Sequence, residues 1–205
     1  MRKKSDEKRQ AIIDVATPIF LKNGYSAASI SEIARLVGGS KATLYGYFPS
    51  KEDLFLEVIL QSAQRMSGKS FDYLEGELPF KEKLYKFGVD FLKFITSPTM
   101  ADIARCVTAE AHKTNLGKEV YEQGIKKSWL KVSEFFGQLI KEKKMRECDP
   151  WVAAMHLKGL LEGEYKDMRL LSAKSKFSEE SIKAYVEEVL KVFSCYYFDK
   201  HNKEL

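Results

Sequence analysis

Cysteine is scarce in this chain and poorly placed for pairing. Cys106, Cys148 and Cys195 are odd in number, far apart and form no C-x-x-C pair. Such a set excludes a disulfide framework and the ligand spacing of a zinc site, and leaves each cysteine as a structural thiol. The five prolines and twelve glycines form no biased tract, which excludes collagen-like, low-complexity and disordered chains. No uninterrupted apolar run approaches the roughly 18 residues of a membrane span. The apolar residues after the basic N-terminus are broken at Asp14, so no signal-peptide core is expected either. These absences predict a cytoplasmic protein with no membrane partner. Catalytic signatures are also missing. His112, His156 and His201 stand apart, and there is no H-E-x-x-H, nucleophile elbow, Walker loop or G-x-G-x-x-G. No catalytic or metal-ligating residue and no cofactor are assigned, and an enzyme is not expected.

What is present is a chain of 205 residues, 44% hydrophobic. A chain of that length buries about 70% of its unfolded surface and needs no staple to fold. Its net charge of +5 is unevenly spread. Residues 1–51 hold nine Lys/Arg against four acids, whereas the other 154 residues hold 25 of each sign. The whole excess lies in the first quarter, as in a chain whose N-terminal part faces a polyanion. Charge alone fits nucleic acid, a membrane surface or a merely solvated end.

Helical periodicity runs from end to end, without sustained strand alternation, and predicts an all-α fold. Ile12, Val15, Ala16, Ile19 and Phe20 give one apolar face to a helix stopped at Asn23-Gly24. Ser29 with Glu32 forms a capping box for a second helix closed by Gly38-Gly39. A third runs from Lys41 to Phe48, and Ser50 with Asp53 caps a fourth that extends to about Met66. After a connector from Gly68 to Pro79, two core helices precede a long one over about Tyr121–Met145. Asp149-Pro150 opens an apolar helix from Trp151, and Ser178 caps a last helix ending in aromatics.

Two short helices around the glycine turn Gly38-Gly39-Ser40 describe a helix-turn-helix, whose second helix enters the DNA major groove. Leu44 and Phe48 face the core, leaving Lys41, Thr43, Tyr45 and Tyr47 outside. Lys41 suits guanine O6/N7 or a phosphate, Thr43 a base edge, and the two tyrosines phosphate oxygens. Ser29 and Ser40 lie at helix N-termini that favour phosphate, with Lys51 opening the next helix. A plain helical hairpin with a polar face is the alternative.

The segments Phe20-Leu21-Lys22-Asn23-Gly24-Tyr25, Ser29-Ile30-Ser31-Glu32-Ile33-Ala34 and Ser40 through Phe55 resemble the DNA-binding domain of the tetracycline-repressor (TetR/AcrR) family over about residues 8–60. The resemblance implies an all-α homodimer. A helix-turn-helix DNA-binding domain would span residues 1–50, with the helix from about residue 51 as connector. Residues 51–205 would form a ligand-binding and dimerisation domain. It also places Lys41, Thr43, Tyr45, Tyr47 and Lys51 at double-stranded DNA. Three departures stand out: Gly39 replaces a small apolar turn residue, Tyr47 a commoner histidine, and Pro18 lies inside the first helix, where it removes a hydrogen bond.

Apolar pockets with few polar groups suit small molecules. Phe87, Phe91, Phe94, Trp129 and Phe136, with Arg105, Glu110 and Glu162, are the candidates for an unidentified effector. Trp151, Met155, Ile182, Tyr185, Val186, Val189, Leu190 and Phe193 form an apolar face expected to join two copies on a palindromic operator, the alternative being that this face is the monomer core. The expected activity is a ligand-released repressor; a helix-turn-helix architectural factor without ligand and a helical carrier indifferent to DNA are the rivals.

Overall fold

The computed structural model describes residues 2–67, 70–174 and 176–198, and all regular structure among them is helical. His201 lies outside them. Two compact units are formed, one from Met1–Gln64 with Asp102–Gln123, the other from Arg65–Ala101 with Gly124–Leu205.

In the first unit α1 spans Arg2–Ala27, α2 Ile30–Leu36, α3 Lys41–Tyr47 and α4 Lys51–Ser67. Backbone angles in α1 leave the helical region only at Gly24 (φ 74°), so the chain runs helically through Pro18 and turns at the glycine. The capping expectations hold: Ser29 Oγ accepts from the Glu32 amide at 3.3 Å, and Ser50 Oγ from the Asp53 amide at 3.0 Å. Ile12, Ile13, Ala16 and Phe20 of α1 meet Ile33, Leu44, Phe48, Leu54 and Phe55 in a small buried core. Phe20 and Phe55 lie 4.7 Å apart between centroids. Residues from Asp102 onward of α6 (Pro98–Glu110) and the short α7 (Leu116–Glu119) complete this unit.

The second unit is built on α5 (Phe80–Thr96), α8 (Lys127–Lys141), α9 (Pro150–Leu170) and α10 (Glu179–Tyr197). A π-helical stretch, Val120–Lys126, precedes α8, so the helix expected over Tyr121–Met145 is divided. It ends at Lys141 without a glycine: Lys143 takes φ 56° and the Lys144 amide reaches back to the Leu139 carbonyl at 2.9 Å. Asp149 caps α9 as expected, accepting from the Trp151 amide at 2.8 Å.

The face assigned from sequence to dimerisation turns inward. Ile182, Val186, Val189 and Phe193 are buried in their own protomer's core against α5 and α9 residues such as Leu92, Ala154 and Leu157. Tyr185, Leu190 and Trp151 are half-buried against the same core, and Met155 reaches the surface groove described below. Helix α10 is apolar on more than one side, and periodicity cannot say which side its own chain covers. The side left open carries Val192 and Tyr196, each 59% exposed. With Met155, His156, Gly159 and Leu160 of α9 they line a groove of about 520 Å³.

Candidate nucleic-acid interface

Helix α3 has seven residues, too few to hold helical form alone. Its neighbours fix it. Leu44 and Phe48 are each 2% exposed, anchoring one side in the core. Ser40 Oγ accepts from the Thr43 amide at 3.0 Å, capping the N-terminus, and lies 2.9 Å from Thr43 Oγ1. The preceding turn is a Schellman motif: Gly39 N–H donates to Ala34 O at 2.9 Å and Gly38 N–H to Arg35 O at 3.1 Å. Gly38 supplies the left-handed residue such a motif needs, at φ 71°. Gly39 does not: a Cβ there would rest 3.6 Å from Thr43 Cβ, an ordinary contact, so the small apolar residue usual in the family would fit.

Ties from α1 hold this pair of helices and the adjoining α4. Lys8 Nζ donates to Val37 O at 2.7 Å, at the end of α2. The Arg9 guanidinium lies 4.9 Å over the Phe48 ring and pairs with Glu57 of α4 at 2.9 Å. Gln10 Nε2 donates to Gln61 Oε1 at 3.0 Å. Arg9's hydrogen bond holds the Glu57 carboxyl below the usual carboxylate range. Lys8 and Arg9 are therefore engaged internally.

On the outward side Ser40, Lys41, Thr43 and Tyr45 are exposed and Tyr47 is half-buried. They form one polar strip containing a cation, hydroxyls and phenols, with Ser29 half-buried at the start of α2. Lys51 is different. Its ammonium donates to the Ser26 carbonyl at 3.1 Å and lies 4.8 Å from the Tyr25 ring. Burial pushes its pKa down and Glu110 opposes the shift.

Residues 12–58 match the family model described as bacterial regulatory proteins, tetR family, and residues 82–199 match the C-terminal domain of AefR-like transcriptional repressors. The second match alone covers more than half of the chain. The protein belongs to the TetR family. It is a DNA-binding transcriptional regulator of that family and not an enzyme. Among relatives, it is 31% identical over 90 residues to the HTH-type transcriptional regulator YhgD of Bacillus subtilis, covering 44% of this chain and 47% of that one. The alignment thus spans about half the length of that relative. A TetR-family regulator from Mesorhizobium loti superposes with a TM-score of 0.86 at 25% identity, over 95% of this chain and 98% of that one. The flavonoid-responsive regulator FrrA superposes at 0.74 with 28% identity, over 95% and 99%.

The eight effector candidates of this TetR-family chain are divided between the two units. Phe87, Phe91, Trp129 and Phe136 are buried in the second unit's core, with Trp129 edge-on to Phe87 and Phe91 at 5.6 and 5.1 Å; Phe94 is half-buried beside them. Glu162 of α9 pairs with Lys158 and Lys166. Arg105 and Glu110 belong to the first unit, where Arg105 pairs with Asp102 and Glu110 accepts from Ser26 at 2.9 Å. A polar residue on an apolar helix looks alike in sequence whether its partner is a ligand or a side chain. Among the described residues no cluster of three His, Cys, Asp or Glu is arranged for a metal, and no helix is long and apolar enough to cross a membrane. Burial pushes the Cys106 and Cys148 thiols up, away from nucleophilic thiolate.

Proposed function

We propose that this protein acts in the cytoplasm as a homodimeric, ligand-responsive repressor that reads a palindromic operator with α3. The carrying observation is the division of that helix: Leu44 and Phe48 are buried, while Lys41, Thr43 and Tyr45 stand exposed behind a rigid Gly38 turn. Lys41 and Thr43 would reach base edges; Tyr45, Tyr47 and the helix N-termini at Ser29 and Ser40 would take phosphates. The partner for dimerisation is a second copy, seated on the open apolar strip of Val152, Met155, Leu160, Val192 and Tyr196. A two-fold pairing sets two recognition helices about 34 Å apart, one DNA turn.

Likeness to a flavonoid-responsive regulator supports control by a small molecule. Such an effector acts only by binding one conformer more tightly than the other. The packed aromatic group of Phe87, Phe91 and Trp129 is where an apolar effector would insert, displacing protein side chains.

Selection of bound duplexes from a random pool with the full chain tests the reading. An enriched palindrome supports it, and a pool without a common motif overturns it. On the selected duplex, Lys41→Ala should weaken binding and lower the salt slope by about 0.9 for each phosphate that the ammonium neutralises. Unchanged affinity in both Lys41→Ala and Tyr45→Ala would remove α3 from the interface.

A further inference from the structure

The corner between α1 and α2, Tyr25 to Ala28, determines where α2 begins and hence, through the Gly38 turn, where α3 lies. The Ala28 N–H donates to Gly24 O at 3.3 Å across the corner, and the Tyr25 ring lies 5.2 Å from Phe55. Two elements remote in sequence also hold it, and both act on Ser26. Lys51, at the start of α4, donates to the Ser26 carbonyl at 3.1 Å and caps the Tyr25 ring at 4.8 Å. Glu110, at the end of α6, accepts from the Ser26 hydroxyl at 2.9 Å across 84 residues of sequence. Glu110 is only 7% exposed, and its second oxygen faces Lys113 at 3.5 Å.

A carboxylate that deeply buried is costly unless hydrogen-bonded and paired, so its placement on an otherwise exposed serine is a strong local constraint. The Lys51 ammonium, turned toward a carbonyl and a ring face, is correspondingly diverted from solvent.

We propose that Glu110 and Lys51 are positioning residues that clamp Ser26 from two sides and thereby hold α2 and α3 in the DNA-competent arrangement, Lys51 acting through the corner and not on phosphate. The proposal rests on the DNA-binding reading above. It makes the end of α6 a determinant of operator affinity although it lies outside the helix-turn-helix.

The test uses the full chain, the selected duplex and a double-mutant cycle. Ser26→Ala and Glu110→Ala should each weaken operator binding about tenfold, the size of one hydrogen bond to a charged group, and together still by about tenfold. Glu110→Gln, which keeps an acceptor oxygen, should recover most of the loss. Lys51→Gln should weaken binding with an unchanged salt slope. Hydrogen exchange on the DNA-free protein should show faster amides at residues 25–30 in Ser26→Ala, whose exposed position spares the core. Losses that multiply to about a hundredfold, a Lys51→Gln slope smaller by about 0.9 per protomer, or unchanged corner exchange would each overturn the clamp. If wild type enriches no duplex while corner exchange still rises, the DNA reading fails and the clamp on Ser26 stands.

Discussion

The Tyr185 hydroxyl donates to the Leu160 carbonyl at 2.8 Å, inside the space that a side chain at residue 163 would occupy. Gly163 interrupts α9 at φ 35° and ψ −135°, three residues beyond the carbonyl that the phenol of α10 holds. Break and hydrogen bond are one device. It fixes the angle of the N-terminal half of α9, whose open side carries Val152, Met155 and Leu160.

A Cβ at residue 163 would lie 2.0 Å from the Tyr185 oxygen and 3.2 Å from Cζ. Gly163→Ala should therefore destabilise the protein by at least about 2 kcal/mol, as overpacking and a disfavoured backbone combine. Tyr185→Phe alone should cost about 1 kcal/mol. Removing the oxygen relieves the worse clash, so the double variant should be more stable than Gly163→Ala. Urea midpoints of the four proteins check this, and strict additivity would refute the shared space.

The two turn glycines should respond oppositely. Gly38→Ala places a β-carbon on a left-handed residue and should cost about 1 kcal/mol or more, while Gly39→Ala should stabilise by about 0.4–1 kcal/mol through the unfolded chain. Thermal unfolding distinguishes them; equal effects would mean that Gly38 is not the hinge of the turn.

The Arg9–Glu57 pair links stability to pH. Because Arg9 depresses the folded-state pKa of Glu57, its contribution is complete above the unfolded carboxylate value and is lost as pH falls through the lower, folded value. Both side chains are partly exposed, at 40% and 27%, so Arg9→Met should cost only about 0.5–1 kcal/mol at pH 7. The difference from wild type should shrink below about pH 4. Denaturant midpoints at pH 7 and pH 3 measure it, and a difference that grows on acidification has the wrong sign.

Val192 and Tyr196 test the proposed interface. Val192→Glu with Tyr196→Glu charges the open strip without touching the buried side of α10. Sedimentation should show monomers with unchanged helical circular dichroism, and operator affinity should fall by about a hundredfold or more as the second half-site becomes independent. A dimer that survives both charges uses another surface.

The first unit was largely legible in the sequence. Ser29, Ser40 and Ser50 cap the helices they were expected to cap, Gly38 ends α2, and Leu44 and Phe48 face inward. Such features are local, set by spacing of about 3.6 residues and by side chains bonding to nearby amides. The end of α8 was not legible because Lys143, not a glycine, takes the left-handed conformation. Nor was the break in α9, because a lone glycine in a helix is ordinarily tolerated.

The sequence by itself determined the helical class, the caps and turns, and the outward residues of α3, since each follows from chemistry within a few positions along the chain. Only the tertiary structure decided which apolar side of α10 its own core covers, that Lys51 turns inward, and that Glu110 meets Ser26. Those outcomes depend on surfaces brought together from distant parts of the chain. Periodicity gives a helix its faces, but only packing chooses the neighbour of each face.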